Sequence, residues 1–310
     1  MGDFTLESAS IDVLGIGLCT VDLLFAVPHV PQFDHSMRAS QFLRQGGGPA
    51  ATALVTFARL APGARGAFIG KVGDDEDGDF IRNGLEQQGI DIGHFAVARG
   101  AQSRVALVLV EESSGERGFV TRPESCGELA PSDLSKKIVS SARIVHLDDA
   151  DATCMQAAIW AREAGRTVVF DGTWMHEDLE AFLPWVDVPI VSEPLVRRWL
   201  PELSPVDVVK KLSEHGAHLV VYTRGARGCV AHWDNETHFF PAFPTEVVDT
   251  TGAGDAFHEA VLYGLYRQWA PEQTIRFASA TAALNCRALG GRTALLERAE
   301  VELFLSENEI

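Results

Sequence analysis

Apolar residues in this chain fall into short continuous runs, separated by stretches with helical periodicity. Ile11-Asp12-Val13-Leu14-Gly15-Ile16-Gly17 reads as a first buried strand and Ala67-Phe68-Ile69 as a short second one. Between them, Pro49 to Ala61 is apolar nearly all round, which predicts a buried helix with Pro49 in its first turn. Glu76 to Gln88 is amphipathic and is stopped by Gly89. From Arg143 onward, strand-like runs recur at 143–147, 167–171, 187–191 and 218–223 with helical stretches between them. Three helical segments follow, at 252–268, 271–288 and 298–306. Such alternation of strand and helix predicts a mainly parallel sheet covered on both faces.

Two stretches break this rhythm. Residues 24–44 look extended, with Pro28 and Pro31 as punctuation. Residues 103–122 pattern as a β-hairpin, Val105 to Val110 turning through Ser113-Ser114-Gly115-Glu116 to Gly118-Phe119-Val120. Together they predict a small β-sheet lid over one end of the main sheet. A further hairpin, 228–240, turns at Asp234-Asn235. No repeat, low-complexity tract or linker appears. The expected organisation is one α/β domain, residues 1–310, with lid insertions at about 24–44 and 103–122.

Composition narrows the function classes. An apolar content of 46% over 310 residues supports a large core, yet no run reaches the ~18 residues of a membrane span. The opening M-G-D-F-T-L-E-S-A-S has neither a basic nor an apolar leader region, so no signal peptide is expected. Five scattered cysteines without a C-x-x-C argue against a zinc knuckle or disulfide framework and fit a cytoplasmic protein. A net charge of −17 disfavours a nucleic-acid partner, which needs a basic face. An anionic ligand must then be held by helix N-termini, a few arginines and a bridging cation.

The segment Asp249 to Asp255, D-T-T-G-A-G-D, supplies such a device. Its glycines let backbone N–H groups approach an anion at a helix N-terminus. Asp255 would repel a phosphate there, so its presence points to proton transfer beside the phosphate. Gly46-Gly47-Gly48-Pro49 is a second glycine-rich entry into a helix, explained equally by ligand contact and by tight packing. It is no Walker A loop, because no G-x-x-x-x-G-K-[ST] occurs. Thr223-Arg224-Gly225-Ala226-Arg227-Gly228 follows an apolar strand and suits either phosphate contact or a hairpin turn with solvated arginines. Gly15-Ile16-Gly17 is no dinucleotide fingerprint, since Thr20 stands at the third glycine position. Asp22, just past the first strand, could bind substrate hydroxyls or cap a turn. Asp74-Asp75-Glu76-Asp77 and Asp148-Asp149-Asp151 are read as helix caps. Glu193 could reach a metal or lie on the surface.

Taken together, D-T-T-G-A-G-D-A-F and Q-G-G-G-P-A-A-T-A resemble the two signatures of the ribokinase-like (phosphofructokinase-B) carbohydrate kinases, from about Ile11 onward. Within that family, Gly290-Gly291-Arg292 and the 113–117 turn are most similar to the ketohexokinase and sulfofructose kinase branch. The resemblance implies ATP-dependent phosphoryl transfer to a hydroxymethyl group of a ketose-like sugar; the alternatives are a nucleoside or phosphosugar kinase, or a non-catalytic sugar- or nucleotide-binding regulator. It implies Asp255 as base and the N–H groups of Gly252, Ala253 and Gly254 as anion hole. Asp22, Gly47, Gly48 and Thr52 would hold the sugar. Arg117, the turn Thr223, Arg224, Gly225, Ala226 and Gly228, and Asn285 would hold ATP. Glu193 would serve Mg²⁺, and Asp249 with Thr251 would form a K⁺ site. A homodimer through the lid is implied as well. Three departures stand out: Ser192-Glu193-Pro194-Leu195 in place of N-x-x-E, Pro49 and Thr52 in place of sugar-binding asparagines, and Asp171-Gly172-Thr173 in place of Asp-x-Asn.

Overall fold

The computed structural model describes residues 10–294 and 296–308. The N-terminal stretch read for a leader lies almost wholly outside these residues. In chain order the first strands are β1 (Ile11–Ile16), β2 (Thr20–Val27), β3 (Gln41–Gly47), β4 (Gly66–Ile69), β5 (Lys71–Gly73), β6 (Ala96–Ala98), β7 (Val105–Glu111) and β8 (Arg117–Arg122). They are followed by β9 (Ala142–Leu147), β10 (Thr167–Gly172), β11 (Val188–Ser192), β12 (Val220–Thr223), β13 (Cys229–Trp233) and β14 (Glu236–Phe240).

The main sheet has eight strands in the order β14-β13-β12-β11-β10-β9-β1-β4. Pairing is parallel from β4 through to β12, and antiparallel only at the β12-β13-β14 edge. Strand alternation sorts the core. Val13, Ile144 and Val169 face the layer containing the helices Pro49–Leu60 and Ala253–Tyr266, while Leu14, Val145 and Val168 face the helices Ala152–Glu163 and Pro205–Ser213. The helix Pro49–Leu60 buries Ala50 to Phe57 without a break, as its all-round apolar pattern predicts. The turn between β13 and β14 places Asp234 and Asn235 at φ 50° and 63°, which is why Asp and Asn occur there.

The stretches that broke the rhythm form a separate four-stranded sheet, β3-β2-β7-β8. It is mixed: β2 runs antiparallel to β3 but parallel to β7. Its first strand starts at Thr20, earlier than position 24, and 28–40 is loop. Asp22 therefore lies within the lid rather than in a turn after β1. The short parallel pair β5-β6 was not anticipated.

The acidic clusters divide. Asp75 and Asp151 cap helices as expected, accepting from the N–H groups of Gly78 and Cys154. Asp148 does not. It is buried behind Gly17, where it accepts from the N–H groups of Leu18 (2.9 Å) and Ala50 (3.0 Å), and burial pushes its pKa up to about 8. A Cβ at Gly17 would collide with this carboxylate. The Gly-x-Gly pattern thus makes room for a side chain, which completes the case against a nucleotide fingerprint.

Candidate active site

The loop 249–252 enters the helix Ala253–Tyr266 through Gly252, whose φ of 75° favours glycine. Gly291 packs so closely here that a Cβ at Gly252 would strike it. Asp249, wholly buried, fixes the loop by accepting from the N–H groups of Thr251 (2.8 Å) and Gly290 (2.7 Å). Asn285 donates to the Thr251 carbonyl at 3.0 Å. The lid docks on the same loop: the Thr250 hydroxyl donates to the Gly115 carbonyl, and Arg117 donates to that hydroxyl at 2.7 Å. The Ala253 N–H turns back to the Thr250 carbonyl, whereas Gly254 is exposed with open space beside it. First-turn amides of a helix have no intrahelical acceptor, so this end presents N–H groups to an anion.

Asp255 sits in that first turn, half-buried. Loss of hydration pushes its pKa up to about 7; Asp171 and Asp22 add to the rise, and Arg117 and Arg292 oppose it. Four charged groups from four distant segments thus converge on one carboxylate. Asp171, at the C-terminal end of β10, is itself raised to about 7 by burial and accepts from the Thr173 hydroxyl at 2.7 Å. His258, one turn beyond Asp255, lies 3.6 Å from Asp171.

Around Asp22 the three glycines acquire separate reasons. A Cβ at Gly47 would collide with the Asp22 carboxylate, one at Gly46 with Nη1 of Arg292, and one at Gly48 with the Leu18 carbonyl. Gly48 also has φ 92°. Asp22 is buried, accepts from the Thr20 hydroxyl at 2.6 Å, and has its pKa raised by burial. Arg292 donates from Nε to the Thr52 hydroxyl (3.0 Å) and from Nη2 to the Gly47 carbonyl (3.1 Å).

The turn after β12 carries Gly225 at φ 54° and Gly228 at φ 76°. Arg224 Nε is buried without a partner among the described residues, which leaves one donor there unused. Glu193 begins the helix Glu193–Trp199 and is held by Arg227 and by Arg197, which keep its pKa below the usual range. No group of three or more His, Cys, Asp or Glu among the described residues is arranged to hold a metal ion. In the lid, Arg104 pairs with Glu124 and Arg122 with Asp77 (3.1 Å) and Asp75 (3.6 Å).

Two members of this cleft escaped the sequence reading as site residues. Asp171 was noticed only as a departure from a pattern. Arg292 was noticed only for its place in Gly290-Gly291-Arg292, since nothing local in the sequence says which way a side chain beyond a glycine turn points.

A mainly parallel α/β sheet with a small β sheet over it and a glycine-led helix N-terminus beside buried carboxylates has the form of the doubly wound ligand-binding folds. The family described as pfkB family carbohydrate kinase matches residues 10–298, and the chain belongs to it. It is 29% identical to the ATP-dependent ribose-1-phosphate kinase of Halopiger xanaduensis, covering 95% of this chain and 98% of that one. It is 29% identical to fructokinase-1 of Oryza sativa subsp. japonica, covering 85% and 89%. The ribokinase structure from Giardia lamblia shares the fold with a TM-score of 0.84 at 22% identity, covering 96% and 100%. No helix among the described residues is long and apolar enough to cross a membrane.

Proposed function

We propose that this protein transfers the γ-phosphoryl group of ATP to a hydroxymethyl group of a neutral, ketose-like sugar, with Asp255 as general base. The observation that carries this reading is Asp255 in the first turn of the glycine-led helix, electrostatically coupled to Asp22 and to Arg292, which is itself anchored on Thr52. A base with a pKa near 7 takes up the acceptor proton efficiently at neutral pH. Of the three amides expected to receive the moving phosphoryl, those of Gly252, Ala253 and Gly254, Gly254 is the most open, while the Ala253 N–H is already engaged by the Thr250 carbonyl and would have to release it. Such chemistry needs positioning and charge stabilisation more than covalent help.

On the nucleotide side, Arg117, Arg224 and the turn from Thr223 to Gly228 surround the phosphates. Asn285 contributes indirectly, by holding the Thr251 carbonyl. Mg²⁺ bound with ATP neutralises phosphate charge. It is usually held by one or two carboxylates together with phosphates and water, and Asp171 beside Asp255 fits that donor set better than Glu193, which two arginines already engage. Asp249 and the Thr251 carbonyl offer oxygens to K⁺, although each already accepts a hydrogen bond.

A neutral acceptor is favoured over a phosphosugar because the cations near the pocket are compensated. Arg104 and Arg122 are paired within and beside the lid, and Asp22, Glu259 and Asp255 act electrostatically on Arg292. The outer lid also exposes Phe42, Phe119 and Val120, which supports a homodimer through that sheet.

The test is a panel of fructose, ribose, 2-keto-3-deoxygluconate, sulfofructose and adenosine, each with ATP and Mg²⁺. Turnover of a neutral sugar is expected. Tight sugar binding with no turnover of any member contradicts the kinase reading.

A further inference from the structure

Arg292 occupies an unusual place. It follows the Gly290-Gly291 turn that packs on the phosphoryl loop, yet its side chain crosses to the acceptor pocket. Two of its nitrogens are committed, to the Thr52 hydroxyl and to the Gly47 carbonyl. Nη1 has no hydrogen-bond partner among the described residues, and the space for it exists only because Gly46 lacks a side chain. The residue is half-buried, so the guanidinium keeps an edge to the cleft. A guanidinium carries five N–H donors in a rigid fork and stays charged. Two anchors fix that fork and leave donors over. Those anchors sit on the same glycine entry that makes room for Asp22, a carboxylate able only to accept while ionised.

We propose that Arg292 is a specificity-determining residue of the acceptor site, turning its unused N–H groups to an oxygen of the polyol while Asp22 accepts from a hydroxyl. The pair reads one donor and one acceptor position of the sugar. Thr52 orients the guanidinium and, through it, the sugar. Burial lowers the Arg292 pKa and Asp22, Glu259 and Asp255 oppose that effect, so the cation already has acidic neighbours within the protein. A neutral polyol oxygen suffices as its partner.

The proposal rests on the kinase reading, and the experiment separates the two. Wild-type protein is assayed first with ATP and D-fructose or D-ribose. Absence of turnover tells against the kinase reading itself. With the sugar that is turned over, Arg292→Lys, Arg292→Gln and Thr52→Val are compared by varying sugar and ATP separately, with thermal melting alongside. Loss of a charge-assisted hydrogen bond predicts that Arg292→Gln raises the sugar KM about 10- to 100-fold. Arg292→Lys, which keeps the charge but loses the fork, gives a smaller rise in the same direction. Thr52→Val gives a rise of about 3- to 10-fold, and the ATP KM stays within about twofold in all three. Should Arg292→Gln fail to fold, Arg292→Lys decides the matter, since it retains the buried charge. An unmoved sugar KM in folded Arg292→Lys, or sugar and ATP KM rising together with a lowered melting point, makes Arg292 a structural staple and overturns the proposal.

Discussion

The two ends of the cleft are built in opposite ways. The end proposed for the phosphoryl group is almost one continuous segment: Asp249 fixes the loop, Gly252 turns it, and Asp255 follows within the first helical turn. The end proposed for the acceptor is assembled from β2, the Gly46–Thr52 entry and the turn beyond Gly290, with the Gly47–Arg292 hydrogen bond alone joining residues 245 positions apart. A reaction shared by many sugars needs one fixed cradle, whereas choice among sugars needs parts that vary independently. Damage at the first end should strike turnover, and damage at the second should strike sugar affinity.

The largest effect is expected at the base. Asp255→Asn should lower kcat by about 10²- to 10⁴-fold, with ATP binding measured by calorimetry little changed. A matching loss of ATP affinity would blur the division between chemistry and binding. Gly47→Ala should push the Asp22 carboxylate aside and raise the sugar KM about 10- to 100-fold while sparing the ATP KM. An equal fall in kcat alone would place Asp22 at the wrong end.

Stability should follow pH through the carboxylates buried between the two ends. Asp171 is raised from 3.8 to about 7 and Asp148 to about 8. A raised carboxyl pKa favours the folded, protonated form. Its contribution is complete below the unfolded value and is lost as pH rises through the folded one. Buried His146 and His258, lowered from 6.5 to about 3, add stability as pH rises to their unfolded value and offset part of this, so the melting point of the ligand-free protein should fall most clearly between about pH 6.5 and pH 8. Asp171→Asn should recover about 1–3 kcal/mol at pH 8 and little at pH 4, read from urea unfolding at the two pH values. The smallest effect is expected at the exposed lid contact. Arg117→Ala should raise the ATP KM about 3- to 10-fold, through loss of its bond to Thr250.

The same contrast governs what the sequence could disclose. The phosphoryl loop was legible because its residues are neighbours and each type has a local reason. The parallel strands were legible from their continuous apolar runs, since strands buried on both faces read that way. The acceptor end was legible only in part. Asp22 and the glycines were found, but β2 begins at Thr20, because its pairing with β3 and β7 reaches back to Thr20 and Val21, while its end at Val27 falls just before Pro28 as the punctuation implies. Asp148 was assigned to the wrong helix, since a carboxylate beside a helix start has the same signature whether it caps that helix or reaches the first turn of a distant one past Gly17. Asp171 and Arg292 act through tertiary neighbours, which neither periodicity nor spacing reports. The strands β5 and β6 are short and pair across an intervening helix, so neither carries a run long enough to recognise.

The central claim is that one site carries ATP-dependent transfer to a sugar hydroxyl. Its most direct test is ³¹P NMR of the protein with ATP, Mg²⁺ and D-fructose or D-ribose, with Asp255→Asn in parallel. The account predicts a sugar phosphate monoester growing in step with ADP in the wild type and nearly absent with Asp255→Asn. ADP and free phosphate without a sugar ester, or equal ester from both proteins, would contradict it.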